Sequence, residues 1–166
     1  MHKYIFEIIE EAKNAKTRPE KIAILNKNES WALKDVIKGT LDPTVEWLLP
    51  KGPVPYKPCE AHNAPTNLLR QNKQFAYFVK GGKGSRRIQT IKRESIFLAL
   101  IEGIHPKDAE IVVGMINKKP FGGGLTPKLI NEAFPNLLSN SSEWFALNFQ
   151  HIRREPTYGN NPTRET

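Results

Sequence analysis

Apolar residues recur along this chain mostly at helical spacing, and few stretches alternate at period two. Tyr4, Ile5, Ile8, Ile9 and Ala12 fall on one stripe, which predicts a first helix. Thr17, Pro19 and Glu20 then match a capping box with proline in the first turn, so a second helix should follow and bury Ile22 and Leu25. A third is expected from residues 28–30 onward, carrying Trp31, Leu33, Val36 and Ile37 and stopping near Gly39. Asp42, Pro43 and Thr44 open a short turn that holds Val45, Trp47, Leu48 and Leu49. Pro50, Pro53, Pro55, Pro58 and Pro65 exclude both helix and central strand, which leaves an irregular excursion.

Beyond it, Asn67 is placed to cap a helix that buries Leu68, Phe75, Phe78 and Val79 and is broken by the glycines of residues 81–85. Residues 88–104 are helical in pattern, with Ile91, Ile96, Phe97, Leu100 and Ile101 on one side. His105 and Pro106 start another helix whose Val112, Val113, Met115 and Ile116 face inward. After a glycine loop at residues 121–125, Thr126 is an N-cap and Pro127 a first helical residue; Leu129, Ile130, Ala133 and Phe134 form the buried face, and Pro135 ends it. No repeat of 20 to 50 residues is present. The expected class is all-α, an irregular bundle of about seven or eight helices with a proline-rich excursion.

The character changes after Leu138. Residues 1–138 read as one helical domain, residues 139–152 as a linker with a short aromatic segment, and residues 153–166 as a polar, mobile tail. Trp144, Phe145, Leu147 and Phe149 make that segment strongly apolar. It either docks back on the domain or anchors a partner protein. The single cysteine, Cys59, excludes an internal disulfide, and no apolar run reaches the length that crosses a bilayer. Glu7, Glu10 and Glu11 interrupt any signal-peptide pattern, so a cytosolic, soluble protein is expected.

Charge sharpens this picture. The formal net charge is +8, from 25 Lys and Arg against 17 Asp and Glu. Residues 61–93 contain no acid at all, yet they hold Arg70, Lys73, Lys80, Lys83, Arg86, Arg87, Lys92 and Arg93. A face that is merely soluble usually mixes signs, whereas an acid-free run attracts polyanions. The loop of residues 81–87 fails the Walker pattern and fits a flexible basic contact to a phosphate backbone. At Gly122, Gly123, Gly124, Thr126 and Lys128, successive glycines run into a helix start. Such an arrangement lets amides and a lysine approach a phosphate; the alternative is a tight connection that needs glycine for geometry alone. Cys59 and His62 have ligand-like spacing but no second pair, so neither a metal nor another cofactor is expected. No nucleophile–base order stands out, and carboxylate pairs such as Asp42 with Glu46 or Asp108 with Glu110 are ordinary for helix first turns. An enzyme is not expected.

The order of features resembles the N-terminal DNA-binding domain of ATP-dependent DNA ligases, closest to those of T-even-type phages and to small proteins of related phages. Ile5-Phe6-Glu7-Ile8-Ile9-Glu10-Glu11-Ala12 and Pro19-Glu20-Lys21-Ile22-Ala23-Ile24-Leu25 carry one half of the resemblance. Ala109-Glu110-Ile111-Val112-Val113, Gly124-Leu125-Thr126-Pro127-Lys128 and Phe134-Pro135-Asn136-Leu137-Leu138 carry the other. It spans residues 1–138, with a poor match in the proline-rich middle. The resemblance implies a helical domain that clasps duplex DNA through its phosphates, with Gly122, Gly123, Gly124, Thr126 and Lys128 as one contact point. It also implies a phage-encoded protein acting in the host cytoplasm or the virion. The chain has no Lys-x-Asp-Gly motif, so it departs from ligases at the nucleophile itself. The expected function is a non-enzymatic DNA-binding accessory protein that contacts the backbone through Lys80, Lys83, Arg86, Arg87, Lys92, Arg93, Gly122, Gly123, Gly124, Thr126 and Lys128. The rival is an adaptor or virion component that uses the same fold. Its partners would be phage replication, transcription or virion proteins held by Trp144, Phe145 and Phe149.

Overall fold

A computed structural model describes residues 3–82, 85 and 88–138. Among these the chain is all-α: α1 (Ile5–Asn14), α2 (Arg18–Lys27), α3 (Trp31–Leu41), α4 (Leu68–Gln71), α5 (Thr90–Gly103), α6 (Pro106–Ile116) and α7 (Pro127–Ala133). Short 3-10 turns at Ala61–Asn63 and Asn72–Tyr77 complete the elements.

The helix starts follow the capping chemistry. Thr17 accepts from the Glu20 amide while Glu20 returns a bond to the Thr17 backbone. Ser30, Asn67 and Thr126 accept from Leu33, Arg70 and Leu129 in the same way. The third helix stops near Gly39 as expected, at Leu41, where Asp42 donates its amide to the Lys38 carbonyl. Two expectations are corrected. Residues 67–79 do not form one helix; α4 is a single turn that tightens into 3-10 geometry before Phe78. Ile91 does not face the core and is 82% exposed, because the inward side of α5 is set by Arg93, Phe97, Leu100 and Ile101.

The helices form one core. α1 packs on α2 and α6, α3 and α5 on α6, and α2 on α7. α3 is enclosed nearly all round. Gly39 is the reason it can be. A Cβ there would lie 2.5 Å from Trp47 Cζ2 and 2.7 Å from Met115 Sδ, so only glycine lets α3, α6 and the Trp47 ring approach so closely. Trp47 also donates its indole N–H to the Gly39 carbonyl at 2.9 Å and meets Phe75 edge-on. The proline-rich excursion is fastened at intervals. The Asn117 side chain exchanges two hydrogen bonds with the Gly52 backbone, Glu102 accepts from the Lys57 amide, and the Cys59 thiol donates to the Ile104 carbonyl.

Charged side chains also lie inside, among them Asp35, which accepts from the Asn72 side chain. Lys38 and Asp42 are both fully buried and paired at 2.5 Å, and Lys38 also donates to the Leu137 carbonyl. Asp108 on α6 accepts from the Phe6 amide at 2.8 Å, so a carboxylate far along the chain supports the first turn of α1. Burial pushes the Asp108 carboxyl up to about 6 from the ordinary 3.8, against the lowering effect of the Phe6 and Ile5 amides. The folded protein therefore binds this proton more tightly than the unfolded chain. The resulting stabilisation is full below pH 3.8 and is lost as the pH rises through about 6. Asp108→Asn keeps an acceptor and removes the titration. Relative to this variant, the native protein is expected to gain about 2–3 kcal/mol between pH 7 and pH 4. Thermal melts of both proteins across that range check it, and parallel pH profiles would refute it.

Candidate nucleic-acid interface

The acid-free stretch begins in the 3-10 turn Ala61–Asn63, near the end of the proline-rich excursion, and runs into α5. Arg70 and Lys73 are exposed on α4 and the turn that follows it. The chain then pairs briefly with residues 46–48: Trp47 bridges Val79, Leu48 donates to the Phe78 carbonyl, and Lys80 donates to the Glu46 carbonyl. That pairing fixes Lys80 at the surface, with Nζ 4.0 Å from the Glu46 carboxylate. Gly82 turns the chain against its own preceding segment; a Cβ there would sit 2.2 Å from the Ala76 carbonyl oxygen. Ser85 closes the turn by donating to the Gly82 carbonyl.

α5 starts in an unusual electrostatic setting. Its N-cap, Gln89, makes no side-chain bond, and its first turn contains no acid. Every other described α-helix has a side-chain cap, an acidic residue in the first turn, or both. Here the exposed first-turn cation Lys92 has the same sign as the helix dipole, so the two add rather than cancel. Among the described residues, no carboxylate pairs with Arg70, Lys73 or Lys92.

Arg93 is a correction. It was expected on the nucleic acid, but its side chain points into the fold. It donates to the carbonyls of Tyr77, Ser85 and Ile88 at 3.1, 2.7 and 3.1 Å. These bonds tie the basic loop to the start of α5, so the residue positions the surface rather than forming it. Lys83, Arg86 and Arg87 lie outside the described residues, as do Trp144, Phe145 and Phe149.

The second glycine loop sits on other elements. Gly122, Gly123 and Gly124 have φ of 75°, 59° and 84°, all in the left-handed region. A Cβ on Gly123 would lie 2.6 Å from the Lys13 Cβ, and one on Gly124 would lie 3.1 Å from the Lys21 Cε. Close packing on α1 and α2 therefore accounts for Gly123 and Gly124 without a ligand, whereas a Cβ on Gly122 would meet open space and only its positive φ favours glycine. Thr126 spends its hydroxyl on capping α7. Lys128 is exposed, one turn ahead of Glu132, which pairs with Arg18. Sequence reasoning missed Lys21, whose ammonium donates to the carbonyls of Ala12, Lys13 and Ala15 and so caps the C-terminal end of α1. Its signal was only that a lysine follows a helix end by a few residues.

Lys118 is a cation withdrawn from the surface. It donates to the Asp42 carbonyl at 2.7 Å, and burial lowers its amine to about 8. Among the described residues, no cluster of three His, Cys, Asp or Glu has metal-site geometry, and no helix is long and apolar enough to cross a membrane.

The profile of a family of unknown function, DUF6433, matches residues 8–120. No curated protein and no solved structure matches the chain.

Proposed function

The chain belongs to the DUF6433 family, and we propose that it is a non-enzymatic protein that binds the nucleic-acid backbone with little sequence preference. One observation carries this reading: the acid-free run of residues 61–93 leads into the α5 N-terminus, which has no side-chain cap and no acid in its first turn. Lys92 supplies a full charge in that first turn, Lys80, Lys83, Arg86 and Arg87 belong to the same acid-free run of sequence, and the amide N–H groups of the turn supply donors for phosphate oxygens. Lys128, beside the second glycine loop, is the remaining contact. The resemblance to the DNA-binding domain of DNA ligases supports duplex DNA as the form bound and a phage accessory role in the host cytoplasm. The missing Lys-x-Asp-Gly supports binding without strand joining.

Six phosphate contacts predict that the logarithm of the association constant falls with the logarithm of salt concentration at a slope of about −5. Fluorescence anisotropy with a labelled duplex, titrated at several salt concentrations, measures it. Binding that is absent, or that ignores salt, would remove this function. The rival adaptor role draws on a different observation, the large apolar side chain of Ile91 held almost fully in solvent. It is the reading left if the titration fails.

A further inference from the structure

The described chain ends in a cleft. Trp31, Lys34, Phe134, Pro135 and Leu137 line it, with a volume of about 420 Å³. The Lys34 ammonium lies 5.1 Å from the centre of the Trp31 ring and 5.5 Å from that of Phe134, and it also pairs with Glu29 at the rim. This places two aromatic rings and a cation around an open space of polar and apolar character. Lys38, from below, fixes the Leu137 carbonyl, so the exit of the chain at the cleft wall is rigid.

We propose that this cleft seats the chain's own aromatic run, residues 144–149. Reach is the first reason. Leu137 lines the cleft, and only residues 139–143 separate Leu138 from Trp144. An extended link of this length spans at most about 20 Å, so Trp144 is confined to the neighbourhood of the cleft mouth at a high effective concentration. Chemistry is the second. Trp144 and Phe145 offer ring faces to the Trp31 and Phe134 rings and to the Lys34 cation. The proposal is independent of DNA binding, since none of the proposed phosphate contacts lines the cleft.

The full chain labelled with 5-fluorotryptophan gives three 19F signals, from Trp31, Trp47 and Trp144. Trp144→Ala is expected to shift the Trp31 signal and leave the Trp47 signal, deep in the core, in place. Leu147→Glu should shift the Trp31 signal in the same direction, and the effect should be independent of protein concentration. A Trp31 signal that both variants leave unmoved overturns the proposal. So does a Trp31 signal that shifts with dilution of the native protein, because the occupant would then be a second copy. A Trp47 signal that moves with Trp31 would report a general loss of structure and would also overturn it.

Discussion

Replacing Lys38 by alanine is expected to lower the stability of the fold by about 3–5 kcal/mol. Lys38 and Asp42 have no exposed side-chain surface, and their charges meet at 2.5 Å. Removal of the ammonium leaves the Asp42 carboxylate in the interior. One of its oxygens is then held by the Thr44 amide and hydroxyl, and the other has lost its cation. The Leu137 carbonyl loses its donor at the same time. The magnitude follows from the isolated buried charge rather than from the net value of the pair. Lys38→Met combined with Asp42→Asn should therefore be less damaging than the sum of the single changes. Urea denaturation at pH 7 gives all three values. A Lys38→Ala protein within 1 kcal/mol of the native one would show that this charge is not enclosed.

The second large effect is expected at Arg93. Its guanidinium satisfies three carbonyls, at the end of one segment, in the basic loop and before α5. Arg93→Ala is expected to cost about 2–4 kcal/mol, since charge-assisted bonds in a near-buried site are lost and carbonyls remain without donors. Its effect on DNA should be of another kind. The folded variant should keep the native salt slope, whereas Lys92→Ala should reduce the slope by about 1 unit, as removal of a phosphate contact does. Denaturation curves and salt titrations of the two variants, compared side by side, separate a positioning arginine from a contacting lysine. A reduced slope in Arg93→Ala would return that residue to the interface.

Adjacent residues in the sequence, Lys92 and Arg93, thus take opposite roles, and this marks where the sequence stops being legible. Caps were legible because their chemistry is local: Thr17 with Glu20, Asn67 and Thr126 each act within one turn. The apolar stripes of α1, α3 and α6 were legible because periodicity alone orients them. Ile91 was misplaced because α5 buries a guanidinium where an apolar residue would be expected, and that choice depends on carbonyls supplied by residues 77, 85 and 88. Lys38 shows the same limit. On α3 it reads as a surface lysine beside an apolar stripe, and only the arrival of Leu137 from the far end of the chain makes its position internal. The glycines of residues 122–124 could be recognised as a special backbone, but nothing local distinguished a phosphate cradle from the close seat of Gly123 on Lys13 and Gly124 on Lys21. The distribution of charge was fully readable, whereas the cations withdrawn from it, Arg93 and Lys118, were not.

The contacts that complete the early helices come late in the chain. Phe6 meets Asp108 across 102 positions and Arg18 meets Glu132 across 114. Ribosomes add about 5–20 residues per second, so α2 waits roughly 6–23 s for the arrival of α7. During that interval the side of the α1–α2 pair that faces α7 has no cover from it. The helices that emerge early are thus finished last, and a nascent chain halted before residue 127 offers a chaperone or a protease the very surface that α7 later closes.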